Sequence, residues 1–513
     1  MKVFKILFLV LLLWIGFIDL SYSQPNHHGD TDLMNHTTNT ITIWIMYDKN
    51  AKEGMERAIE AFKETTDNDI NIRCRILAWE EAKNIFRNSG TFNKEIQRTG
   101  GIFPDIIQVP STWALHFAAE GILYDLTNEE WIDREFYDSH MWQTSTCQMN
   151  DNIYAMPWFL DVRALYYRKD VFRKIGLDEQ GSDLKTWDSF IKVCNRIKRD
   201  KCKADERIIP ETGKQVFLID EKGGKRISPL AISGFVNMGW NIIHNIIAPH
   251  YWGRTNEEIP SLKNENWREN LLETLKPDIK FCHKVANYVP SSDFNRTEIE
   301  IQDDFVKGLY AMSFSGTYLI SNLKEYYGSN WAKYFGVVHI PTPTTKNGSK
   351  LWTSTFCGGS YLGIVNTPCP NPRALEFVKF LSTNENAQIL YTSFISQLPA
   401  LILSQDATAN LRRDNPYLPI FLNRKTWKIY PADSAWFKFE EEFKSVIKKE
   451  IKPSVQDLVN LIRSFICKFI NWISSIIFLA IIAIFQEKIK RSILAFLETL
   501  KRLGTRKKEV NNE

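Results

Sequence analysis

The sequence predicts an α/β chain folded into two lobes, with an export signal in front and a membrane-spanning helix behind. Three observations predict it. Short β-branched apolar runs alternate with stretches whose apolar residues recur every three or four positions, the periods of buried strands and amphipathic helices. The 513 residues are 44% hydrophobic, enough for residues 40 to about 450 to bury two cores rather than one. Long apolar segments also stand near both ends, with basic residues beside them.

The first segment places Lys2 and Lys5 before an apolar run from Ile6 to Ile18, and the small residues Ser21 and Ser23 before Gln24. That order is a secretory signal over residues 1–23. No cysteine follows it until Cys74, which argues against a lipid-attached start. Residues 24–39 are polar and read as a flexible arm; His27, His28, Asp30, Asp32 and His36 have metal-ligand chemistry, but an arm without structure gives them no fixed geometry. No metal or cofactor is assigned.

Ile41 to Tyr47 (ITIWIMY) reads as a strand covered on both faces, and Met55, Ala58, Ile59 and Phe62 as the inner stripe of the helix after it. FPDIIQVP then gives a second strand, and strand, helix, strand implies a right-handed crossover in a parallel sheet. Further on, Trp187, Phe190, Ile191 and Cys194 line one face of a helix that starts after Thr186. YFGVVHIP and YLGIV read as strands, and ALEFVKFLSTNENAQILYTSF as one long helix. Residues 199–227 are polar and glycine-bearing, a surface excursion with its own hairpin.

The 17-residue run from Phe469 to Phe485 is near the lower limit for crossing a bilayer. It anchors a predicted membrane helix over 465–486. Eight basic residues between Lys488 and Lys508 place the tail, 487–513, in the cytoplasm, where Ile489, Ile493, Leu497 and Leu500 repeat at helical spacing. Of eight cysteines, Cys467 belongs to this region, and the seven others include Cys194 and Cys202, close enough to suggest a disulfide.

Function classes fall away next. Charge is nearly balanced, 64 basic against 60 acidic residues, with no dense basic patch to hold a nucleic acid. GxSxG, Walker, dinucleotide GxGxxG and HExxH motifs are absent, which removes the common enzyme signatures.

Several segments, in order, resemble extracellular solute-binding protein family 1, the ABC-transporter sugar receptors that include maltose-binding protein. They are ITIWIMYDKN; PDIIQVPSTWALHFAAEGILYDLT; IYAMPWFLDVRALYYRKDVFRKIGL; KTWDSFIKVCNRI; FVKGLYAMSFSGTYLI; and STFCGGSYLGIV with ALEFVKFLSTNENAQ and SQLPAL. The resemblance implies a type II periplasmic-binding-protein fold, two α/β lobes that close on a ligand by hinge motion. It divides the chain into lobe 1, residues 40–156 and 315–350, and lobe 2, residues 157–314 and 351–450. Crossings would fall near 156–160, 314 and 352–356.

By the same resemblance, Tyr47, Asp48, Lys49 and Asp161 would meet a sugar's hydroxyls, while Trp113, Trp158, Trp240 and Tyr318 could stack on its C–H faces. Each tryptophan could equally be core. Gly316, Gly358 and Gly359 would let backbone approach the ligand, or merely make tight turns. Two departures concern ligand identity: Ser360 follows the double glycine where many relatives have an aromatic, and IAPHYWGRTNEEI lacks a double glycine. The implied protein is a non-enzymatic receptor outside the cytoplasm that delivers a carbohydrate to ABC permease subunits; its C-terminal helix would make it membrane-anchored, a larger departure, since most relatives are free or lipid-tethered. A sensor read by a separate membrane kinase is the alternative, and a hydrolase using Asp161 ranks behind both.

Overall fold

A computed structural model describes residues 40–450, apart from 67–69, 148–151, 221, 234–238, 261, 263–265, 345–350, 404 and 432. The signal, the arm with its histidines, the membrane run, the basic tail and Cys467 lie outside the described residues. Among those described, no helix is long and apolar enough to cross a membrane.

Besides three two-residue strands (Thr146–Cys147, Asn152–Ile153 and Trp427–Lys428), the strands, in chain order, are β1 (Thr40–Met46), β2 (Asn71–Leu77), β3 (Ile106–Pro110), β4 (Met156–Val162), β5 (Ala164–Arg168), β6 (Lys203–Ile208), β7 (Gln215–Ile219), β8 (Lys225–Arg226), β9 (Ser228–Ala231), β10 (Tyr310–Ser315), β11 (Phe335–Val338), β12 (Thr355–Ile364) and β13 (Leu398–Pro399). One sheet runs β13-β4-β12-β3-β1-β2, and a second runs β9-β10-β5-β11. β1 pairs in parallel with both β2 and β3, as the crossover rule requires, whereas β12 is antiparallel to β3 and β4. The excursion forms a third, antiparallel sheet, β8-β6-β7.

Helix α1 (Ala51–Thr65) buries Met55, Ala58 and Phe62 as expected. The stretch expected as one long helix is two, α6 (Pro372–Thr383) and α7 (Glu385–Ile395), in a count that also includes α2 (Trp79–Ile85), α3 (Trp187–Asp200), α4 (Glu298–Val306), α5 (Leu319–Tyr327) and α8 (Trp436–Glu450). Asn384 causes the break: it is extended, and its side chain accepts a hydrogen bond from Ala387 N at 3.0 Å, so it caps α7 instead of continuing α6. Cys194 and Cys202 are both buried and unpaired, which corrects the suggested disulfide. Cys194 faces the core from α3, and its apolar surroundings account for its burial.

Strand pairing redraws the lobes. β4 stays in the first sheet through Val162, so the chain leaves lobe 1 at Arg163, not at Met156 to Leu160. Phe314 is internal to β10 of the second sheet and is no crossing. β11 pairs with β5, which moves residues 335–338 from lobe 1 to lobe 2; β12 pairs with β3 and β4, which moves residues 355–364 the other way. The return crossing therefore falls between Val338 and Thr355. The two crossings are stitched together: Arg163 N donates to the Phe356 carbonyl at 3.2 Å, and Thr355 Oγ1 donates to the Arg163 carbonyl at 2.6 Å.

Candidate functional site

Between the sheets lies a cleft of about 550 Å³, within the range of about 300–1,000 Å³ usual for small-ligand sites. Its first wall is built where β1 and β3 end, the edge at which parallel sheets place their loops. Asn50, at φ 62°, takes the left-handed turn that asparagine tolerates and swings the chain from β1 into α1, leaving Tyr47, Asp48 and Lys49 on that wall. Trp79, Ser111 and Trp113 stand beside them. The opposite wall comes from α4 and α5. Thr297 accepts from Glu300 N and Glu300 returns to Thr297 N, a capping box that fixes Glu298 at the first turn of α4.

Arg163 ties the walls together at the hinge. Its side chain is 4% exposed, and the guanidinium donates to Asp161 Oδ2 at 2.6 and 3.1 Å and to the Tyr318 hydroxyl at 2.8 Å and lies 3.5 Å from Glu298 Oε1. Tyr318 in turn donates to Glu298 Oε1 at 2.6 Å, and the Gln302 amide donates to the same oxygen at 2.9 Å. Burial alone would lower the Arg163 pKa, but Asp161, Tyr318 and Glu298 outweigh it and raise it. Burial raises Glu298, with Arg163 and Tyr318 opposing and Asp161 adding to the rise. Asp48 is pushed well above the usual carboxylate range, by burial first and then by Asp161 and Glu298. Asp161 Oδ1 is buried and has no hydrogen-bond partner among the described residues.

A second knot sits at the inner end. Glu440 of α8, 3% exposed at its side chain, accepts from Lys83 Nζ and from Trp113 Nε1, both at 3.1 Å. Its other oxygen lies 3.8 Å from His244 Nε2, too long for a hydrogen bond. Burial, then Arg163 and Lys83, holds His244 well below its ordinary pKa. Across the mouth, Lys49 pairs with Glu325 of α5, a contact from one lobe to the other.

Residues 57–414 match the model of a family described as bacterial extracellular solute-binding protein. The chain belongs to that family. Solute-binding proteins of similar fold include the GacH receptor of Streptomyces glaucescens, solved unliganded and with acarbose (17% identity, TM-score 0.59, covering 80% of this chain and 92% of that one). Maltose-bound MalE3 of T. maritima is 16% identical at TM-score 0.58, covering 84% of this chain and 99% of its own. An ABC transporter solute-binding protein from Thermotoga lettingae, bound with α-D-tagatose, is 16% identical at TM-score 0.59, covering 80% and 94%. At these identities the likeness is one of fold. The family is one of extracellular binding proteins, not enzymes.

In this solute-binding protein, Tyr47, Asp48, Lys49, Trp113, Asp161, Tyr318 and Gly359 all line the cleft. Trp158 does not. It is fully buried in lobe 1, its ring stacked on Tyr391 with centroids 4.2 Å apart, so it is core packing and not a stacking platform. The Trp240 side chain lies outside the described residues. Gly316 and Gly358 are absent from the lining, and each serves packing: a Cβ on Gly316 would stand 2.5 Å from Asp161 Oδ1, and one on Gly358 2.3 Å from the Phe356 ring. Sequence reasoning missed Arg163, Glu298, Gln302 and Glu440. Arg163 was inside a quoted segment, and Glu298 followed a legible cap, but nothing local says that either side chain points inward.

Proposed function

We propose that this chain is a membrane-anchored receptor that binds a carbohydrate in the interlobe cleft and presents it to an ABC permease. The observation that carries the reading is the joint Asp161–Arg163–Tyr318–Glu298 constellation at the hinge. Charged groups locked by one another in fixed geometry, beside the rings of Trp79, Trp113 and Tyr318, form what hydroxyl-rich, C–H-faced ligands need. Acarbose, maltose and tagatose in the similar structures support the ligand class. The apolar run at 469–485, followed by basic residues, supports the anchor, which would hold the receptor at high effective concentration near its permease. Titration calorimetry of residues 40–450 with mono- and oligosaccharides tests the ligand. Saturable binding by at least one sugar is expected; binding of amino acids or phosphate esters with no sugar response would refute it.

A further inference from the structure

The cleft wall carries seven carboxylates against two cations of its own, Lys49 and Arg163, while Lys83 and Lys214 outside the lining pair with two of the seven, Glu440 and Glu325. Lys49 is occupied by Glu325, and the Arg163 guanidinium is shared among Asp161, Glu298 and Tyr318. Asp48 adds a third carboxyl close enough to feel both Asp161 and Glu298. Around the hinge, then, three carboxyl groups face one guanidinium.

Two carboxyl oxygens of the wall are buried without a hydrogen-bond partner among the described residues, Asp161 Oδ1 and Glu440 Oε1, the latter on a side chain 3% exposed. Both are acceptors and both belong to acids. Leaving such atoms bare is costly, so each side chain would gain by turning its buried oxygen toward a donor on a bound ligand. A second anion would meet only repulsion. A neutral sugar would supply donors but leave Asp48 and Glu298 as burial and their acidic neighbours hold them, raised above the ordinary carboxylate range, whereas a cation would let them ionise.

We propose that the preferred ligand is an amine-bearing carbohydrate, a sugar with a free protonated amino group that sits between Asp48, Asp161 and Glu298. This inference deepens the carbohydrate reading above and rests on it. An ammonium brings three donors and the missing positive charge in one group, and its hydrogen bonds to carboxylates are charge-assisted. Trp79 and Tyr47 also line the cleft, and aromatic rings attract a cation.

The test compares matched sugars. Glucose, mannose and galactose, and disaccharides of each, are titrated against their 2-amino and 2-acetamido counterparts by calorimetry, with spermidine as an amine that is not a sugar. At least one free-amine sugar should bind about tenfold or more tightly than both its hydroxyl and its acetamido forms. That preference should shrink as salt rises, and in Asp48→Asn or Glu298→Gln; two variants guard against one failing to fold. Equal or tighter binding of the hydroxyl or acetamido form throughout would overturn the amine inference and leave the carbohydrate reading standing. Tight binding of spermidine with no sugar bound at all would overturn both.

Discussion

Trp158 and Asp161 lie three positions apart on β4 yet belong to different physical regimes. Trp158 is sealed in lobe 1 against Tyr391, in a place where packing decides everything. Asp161, near the end of the strand, turns toward Arg163 at the hinge, with one oxygen engaged and the other bare. The same strand is therefore scaffold at one end and candidate binding site at the other. Stability and affinity should separate along it, and substitutions can show whether they do.

The largest effect should come from the scaffold end. Trp158→Ala is expected to cost about 4 kcal/mol of folding stability, read as a drop in the urea midpoint, because a large buried ring leaves a cavity that its neighbours cannot fill. Arg163→Met stands between the regimes. It strips Asp161, Glu298 and Tyr318 of their shared donor, and a loss of about 3 kcal/mol is expected in the same assay. A neutral result would mean that the hinge cluster is not electrostatically held.

Acid–base behaviour sharpens the contrast. Glu95, on the outside of lobe 1, is held down to about 2 from an ordinary 4.5, chiefly by its hydrogen bond to Arg98, with Arg75 adding to it. A depressed carboxyl binds its proton less tightly when folded, so its contribution is present above pH 4.5 and lost as pH falls toward 2. Glu298 is raised, by burial first. Its contribution has the opposite sign: the folded state holds the proton more tightly, so stability declines as pH rises past the ordinary carboxylate range. Melting curves across pH should thus show Glu95→Gln flattening the acid limb, and Glu298→Gln gaining most relative to wild type near neutral pH. The smallest effect should be at the mouth, where the Lys49–Glu325 pair is 29% and 36% exposed. Glu325→Gln is expected to shift stability by no more than about 1 kcal/mol, measured by chemical denaturation.

Much of the scaffold was legible. The β1 run, the α1 stripe of Met55, Ala58 and Phe62, and the Thr186 cap announce themselves through period and capping chemistry, which are local. The division of lobes was not, because β4, β11 and β12 are all buried runs. Which sheet each joins is decided by long-range pairing such as Ser360 with Phe159. The cleft was half legible for a related reason. Asp48 and Asp161 could be proposed because the resemblance places polar ligand contacts at their positions, whereas a tryptophan in an apolar segment looks the same whether it is core, like Trp158, or cleft wall, like Trp113. Glu298 sits in EIEIQDDF, an acidic stretch whose opening alternation reads as a half-buried strand, and only its tertiary partners Arg163 and Tyr318 reveal its direction.

The central claim is that solute binds at the hinge end of the interlobe cleft. Calorimetry of the tightest-binding sugar against wild type, Asp161→Asn and Tyr318→Phe tests it most directly. Each substitution should weaken binding by about 1–3 kcal/mol while the variant still melts cooperatively, Asp161→Asn below wild type because Arg163 loses its charged partner. Unchanged affinity in both folded variants would contradict the account and place the site elsewhere.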